Sequence, residues 1–107
     1  MPPQQVVWDP EKARRNKTKH GIDFEEAATV FRDPLLQVMP DPRHSQDEDR
    51  WIALGKSIRQ ILLVVVHTED EWTIRIISAR KAEPRERRQY EREFQAREEE
   101  RRDARGV

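Results

Sequence analysis

Apolar positions along the chain come in short runs, and their spacing changes from helical to alternating about a third of the way in. Val6, Val7 and Trp8 form a short extended stretch. Asp9-Pro10 offers an N-cap followed by proline at the first helical position, and Gly21 offers a left-handed stop. Together they predict a helix over residues 10–20. Asp23 reads as the next N-cap, with Glu26 completing a capping box. Phe24, Ala27, Ala28 and Phe31 then recur at helical spacing, so the second helix turns an apolar stripe to the core until Asp33-Pro34 stops it.

From residue 35 the period shortens. Residues 35–39 read as a strand, the proline-bearing 40–49 as a loop, and 50–54 as a second strand. Gly55-Lys56-Ser57 offers a turn. Residues 61–66 are apolar on both faces and β-branched, the mark of a central strand buried on two sides. Glu69-Asp70-Glu71 makes a charged hairpin tip, and residues 72–78 alternate enough for another strand. A last helix begins near Glu83 and docks by Tyr90 and Phe94; beyond Ala96 it is expected to be solvated or frayed. Helices first, then a meander of about four antiparallel strands, then a helix make an α+β domain over residues 1–94 with a charged tail over 95–107.

Composition narrows the picture. A chain of 107 residues that is 39% charged and 35% hydrophobic builds one domain with a small core, too small for the layered pockets of most cofactor enzymes. The absence of cysteine excludes disulfides and thiolate metal sites. The longest apolar run is far short of a membrane span, and the first residues lack the basic head and apolar run of a secretory leader. A cytoplasmic protein is expected. The net charge is zero but segregated: Lys12, Arg14, Arg15, Lys17 and Lys19 come with no acid among them, and residues 23–49 are mostly acidic. A neutral protein can thus present a basic face to a phosphate backbone.

The residues that could carry chemistry are Lys12, Lys19, His20, Arg50, His67, Arg75, Arg80, Lys81 and Tyr90. No glycine-rich phosphate loop or Ser-His-Asp spacing is present, and the three histidines lack carboxylates at ligand spacing, so no metal is expected. A set of cations with one phenol suits RNA cleavage, in which the substrate's own 2′-OH attacks phosphorus. The protein need only move protons and stabilise charge on the phosphoryl oxygens. Duller roles compete: solvated helix positions for Lys12 and Lys19, a helix C-terminus for His20, a satisfied core histidine for His67, docking for Tyr90, packing for Trp8, Trp51 and Trp72. Arg75 is more pointed, because a charge inside an apolar strand must face water, a partner or a substrate. Arg80-Lys81 follow that strand, where a loop mouth is a natural place for a site.

The run Trp8-Asp9, Lys12, Asn16, Lys19-His20-Gly21-Ile22-Asp23-Phe24 and Ala27 resembles the opening of the BrnT toxins. Arg50-Trp51, Leu54-Gly55, Val66-His67-Thr68, the segment from Ile74 to Ala82 with its Ile-Ser-Ala-Arg-Lys-Ala close, Glu86 and Tyr90 continue the resemblance in order. It implies a RelE-like fold, a metal-independent endoribonuclease that arrests translation, and a BrnA-like antitoxin with a ribbon-helix-helix part through which the pair meets operator DNA. Carried over, Arg75 and Arg80 become phosphate and transition-state contacts. Lys12, His20, Arg50 and Tyr90 also match patterned positions. In the mechanism that the residue types themselves suggest, His20 or Lys12 is the expected general base and Lys81 or Tyr90 the group that assists the leaving oxygen. Lys19, Arg50 and Lys81 become RNA contacts, and residues 95–107 extend beyond the pattern. The rival readings are a non-enzymatic nucleic-acid-binding module or co-repressor, and a pure interaction protein docking by its charged last helix.

Overall fold

The computed structural model describes residues 5–43 and 49–104. The elements run β1 (Gln5–Trp8), α1 (Pro10–His20), α2 (Phe24–Ala28) with a 3₁₀ turn (Thr29–Arg32), β2 (Gln37–Pro40), β3 (Trp51–Lys56), β4 (Leu62–Glu69), β5 (Thr73–Lys81) and α3 (Pro84–Ala104). Among the described residues five strands form one sheet in the order β1-β5-β4-β3-β2. The fold is α+β as expected, but the sheet is mixed: β2 to β5 are antiparallel neighbours, while β1 pairs parallel with β5, Val6 opposite Ile74 and Trp8 opposite Ile76. The extra strand is the extended stretch at residues 6–8, whose distant partner no local pattern reveals.

β4 is the central strand that the apolar run predicts. Leu63 and Val65 join Ile22, Phe24, Ala27, Val30, Ala53, Ile76 and Ala79 in a core under α1 and α2. Leu62 and Val64 join Leu54 and Tyr90 in a smaller core under α3. The sheet is thus covered by α1, α2 and the 3₁₀ turn on one face and by α3 on the other, and alternation along each strand decides which layer a side chain meets. Tyr90 docks α3 as expected, 4% exposed, but Phe94 stays 45% exposed. α3 continues unbroken to Ala104 with its last turns solvated. No helix among the described residues is long and apolar enough to cross a membrane.

Local chemistry explains most boundaries. Asp9 Oδ1 accepts from the Glu11 amide at 2.8 Å, Pro10 follows, and Gly21 ends α1 at φ 74°. The capping box at Asp23 does not form, because Glu26 is drawn elsewhere: its Oε2 accepts from the Ser57 hydroxyl at 2.7 Å and its Oε1 lies 3.6 Å from Arg59. Asp23 instead pairs with Lys17. The turn expected at Gly55-Lys56-Ser57 lies further on. Gly55 belongs to β3, where a side chain would meet Leu36 Cδ1 at 3.0 Å, and the chain reverses over residues 57–60 with Gln60 at φ 64°. Trp72, expected to pack, is 55% exposed beside the hairpin tip. Arg80 and Lys81, expected in a loop, close β5.

Candidate active site

Arg75 and Arg80 are five residues apart, so a regular strand would send them to opposite faces. The ladder between β4 and β5 is irregular at Val66/His67. Thr68 pairs with Arg75, His67 with Ile76, Val66 with Ser78 and Val64 with Arg80, which leaves Ile77 without a partner on β4. That bulge absorbs one residue, and it sets Arg75, Ser78 and Arg80 on the same face as Val64, the face of α3. Four steps along β4 put the two arginines roughly 13 Å apart along the strand. Arg75 is exposed, and around it Thr68, Val66, Ser78 and Ile52 are half-buried, so this end of the sheet face is open beyond α3.

Arg80 is held. Its Nη1 and Nη2 donate to Glu86 Oε1 and Oε2 at 2.8 and 2.7 Å, and Nη1 also donates to the Lys81 carbonyl at 3.2 Å. Glu86 Oε1 also accepts from the Glu83 amide, tying the first turn of α3 to the end of β5. The pair raises the Arg80 pKa above its already high value and lowers that of Glu86, in each case first through their hydrogen bonds. Both stay fully charged at neutral pH.

The remaining candidates divide between the layers. Lys81 pairs with Leu63 and so turns to the α1 side. Lys12 and Lys19 are exposed and His20 half-buried on α1, and no hydrogen bond or ion pair among the described residues joins them to Arg75 or Arg80. One contact brings α1 close to the arginines' strand: Asn16 on α1 is bonded to the backbone of Ala79. Lys12, Asn16 and His20 share one helical stripe, so this contact lays the stripe along the part of β5 that β1 does not reach. Arg50 is half-buried just before β3, its carbonyl accepting from the Asp41 amide.

The Tyr90 hydroxyl donates to Asp33 Oδ2 at 2.7 Å, with Lys56 Nζ 5.7 Å from the ring centroid. Burial first, then the Asp33 hydrogen bond and charge, raise the phenol's pKa, so its proton is firmly retained. Burial alone would raise the Asp33 pKa, but donation from the Lys56 amide, the Tyr90 hydroxyl and the Leu35 amide outweighs it and holds the carboxyl below its ordinary value. His67 is 1% exposed with its ring edge-on to Phe31 at 5.1 Å. It is not the satisfied core histidine that the sequence suggests, since neither ring nitrogen has a hydrogen-bond partner among the described residues. Burial lowers its pKa, against smaller opposing effects of Glu69 and the Thr68 backbone, so the ring is neutral. No cluster of three or more His, Cys, Asp or Glu side chains able to hold a metal ion occurs among the described residues.

Sequence reasoning missed Asn16 and Asp33 as organising residues and gave Glu86 no role. The available signal for Glu86 was a carboxylate three residues after Glu83, at the start of a helix that follows Arg80-Lys81.

Comparisons with known proteins agree with this architecture. Among solved structures, the crystal structure of the Brucella abortus ribonuclease toxin BrnT matches with a TM-score of 0.59 and 25% identity, covering 75% of this chain and 97% of that one. A search of the curated proteins gave no match. The family described as ribonuclease toxin, BrnT, of type II toxin–antitoxin system matches residues 8–86, a stretch that takes in every candidate named above except Tyr90. That stretch is most of the chain, and the chain belongs to the BrnT family of ribonuclease toxins.

Proposed function

We propose that this chain is a metal-independent endoribonuclease that arrests translation in the bacterial cytoplasm, with its site along β5. The observation that carries this reading is the bulge at Ile77, which sets Arg75 and Arg80 on one face of the sheet, Arg75 at its open end and Arg80 beside α3. A permanently charged planar guanidinium suits both a phosphate ground state and the extra charge of the phosphorane. Arg80 marks the scissile phosphate, and Arg75 grips the strand roughly 13 Å away, a spacing that suits neighbouring groups better than one shared phosphate. Proton transfer falls to the groups around the edge of β5. His20 or Lys12 takes the 2′-OH proton, and Lys81 assists the departing 5′-oxygen. Support for that placement comes from Asn16, which lies between Lys12 and His20 and is bonded one residue from Arg80. Tyr90 is the weaker candidate for the leaving group, because its hydroxyl is buried and engaged by Asp33. Lys19 and Arg50 extend the cationic track for RNA.

The partner, in this reading, is a BrnA-like ribbon-helix-helix antitoxin that neutralises the toxin and links the pair to operator DNA. What supports it is the family's place in a toxin–antitoxin system. The test is induction in a bacterial host with and without that antitoxin, following growth and total RNA. Growth arrest with RNA decay, both relieved by the antitoxin, is expected. Normal growth with intact RNA despite folded protein would favour a nucleic-acid-binding module or co-repressor without catalysis.

A further inference from the structure

We infer that Glu86 is a positioning residue: it takes one fork of the Arg80 guanidinium and so presents the other to the RNA phosphate. The inference rests on the proposed site. A guanidinium carries five N–H donors in a rigid plane. Three are accounted for, two on the Glu86 carboxylate and one on the Lys81 carbonyl. The two left, on Nε and Nη2, lie side by side along one edge of the plane, and among the described residues neither has a partner. That edge is the second bidentate fork, the one that matches two oxygens of a phosphate.

The pair is built to hold this orientation. The Arg80 and Glu86 side chains are 33% and 18% exposed, so solvent competes little for either. Glu86 is itself fixed by the Glu83 amide at 2.8 Å, in the first turn of a helix anchored by buried Tyr90. Arg80 is fixed by the ladder to Val64 in the central strand. An unrestrained arginine would lose rotamer freedom on gripping the phosphate; here that loss is already incurred in the free protein. Glu86 does not touch substrate in this arrangement. Its carboxylate also places a negative charge near the phosphate, so a mere competitor for Arg80 would behave in the opposite way when removed.

The experiment compares the full chain with Glu86→Gln, Glu86→Ala, Arg80→Ala and the double variant Arg80→Ala/Glu86→Ala. Single-turnover cleavage is followed on an end-labelled RNA of mixed sequence, alone and in a translating bacterial extract, with Tm measured for each protein. Glu86→Ala is expected to slow cleavage by about 10- to 100-fold. Arg80→Ala should be at least as slow, and the double variant no slower than Arg80→Ala, because Glu86 acts only through that arginine. Glu86→Gln keeps an acceptor for the Glu83 amide while losing the charged bidentate pair, and should be slowed without losing the fold. Additive losses in the double variant, or Glu86→Gln at or above the unsubstituted rate, would overturn the inference. Arg80→Ala cleaving at full rate would instead remove the site itself, a separate result from fast Glu86 variants beside a slow Arg80→Ala.

Discussion

The side-chain amide of Asn16 bonds to both backbone groups of Ala79, donating to the carbonyl at 2.9 Å and accepting from the amide at 3.0 Å, as a neighbouring strand would. β1 ends at Trp8, opposite Ile76, so beyond that point no strand among the described residues lies beside this edge of β5. Asn16 continues the ladder for one residue, and its amide also donates to the Ile22 carbonyl at 3.0 Å just past the end of α1. One buried side chain thus fixes the helix to the strand that carries both arginines.

Asn16→Ala should therefore destabilise the protein by about 3 kcal/mol, since it strands buried backbone groups rather than merely removing a bond. Asn16→Asp should do no better, because a carboxylate cannot donate to the Ala79 and Ile22 carbonyls. Denaturant unfolding measures both, and a loss under about 0.5 kcal/mol, the range of an ordinary surface substitution, would contradict the role.

Arg75→Ala should separate activity from stability. The side chain is exposed and makes no hydrogen bond or ion pair among the described residues, so unfolding should change by no more than about 0.5 kcal/mol. Because Arg75 grips the RNA beside the scissile phosphate, its loss should weaken RNA binding, slowing cleavage about 10- to 100-fold at limiting RNA and little at saturating RNA. Single-turnover rates beside a thermal melt decide it.

Asp33 gives a pH dependence of known sign. Its native carboxyl titrates below its ordinary 3.8, so its contribution to stability is complete above that pH and is lost as pH falls through the lower native value. Asp33→Asn should lower stability at neutral pH and flatten this acid limb. Melting temperature against pH for the two proteins reads it directly.

His67 acts in a different window. With the native pKa below the ordinary 6.5, the unfolded chain takes up the proton first, so stability is complete above pH 6.5 and declines as pH falls toward the native value. His67→Leu should remove that decline. It should also cost little at neutral pH, because it replaces a ring whose nitrogens find no partner among the described residues. An unchanged slope just below pH 6.5 would exclude burial as the controlling influence on the ring.

Local signals in the chain were enough to place α1, the central strand and the closing helix. Asp9-Pro10 and Gly21 fix helix ends through their own backbone preferences, and a doubly apolar run such as residues 61–66 has only one comfortable place in a small sheet. The misplaced features all depended on distant partners. Glu26 left its capping box for Ser57, 31 residues away. Gly55 looked like a turn because the approach of Leu36 and Val30 to its backbone cannot be seen in sequence. The same holds for the site. Arg75 and Arg80 could be chosen as charges in and after an apolar strand, but regular alternation would have parted them; the bulge that unites them is a property of pairing with β4. The α1 candidates were chosen for charge, proton-transfer chemistry and the family resemblance, and the contact that brings them near β5 runs through a neutral asparagine.

The most direct test is cleavage of a labelled RNA by the purified chain in excess chelator, with Arg75→Ala and Arg80→Ala in parallel and the product ends identified. The account predicts undiminished cleavage in chelator, products ending in a 2′,3′-cyclic phosphate, a loss of about 10²-fold or more in Arg80→Ala, and a loss of about 10-fold or more at limiting RNA in Arg75→Ala. Cleavage abolished by chelator, or full activity in both arginine variants, would contradict it.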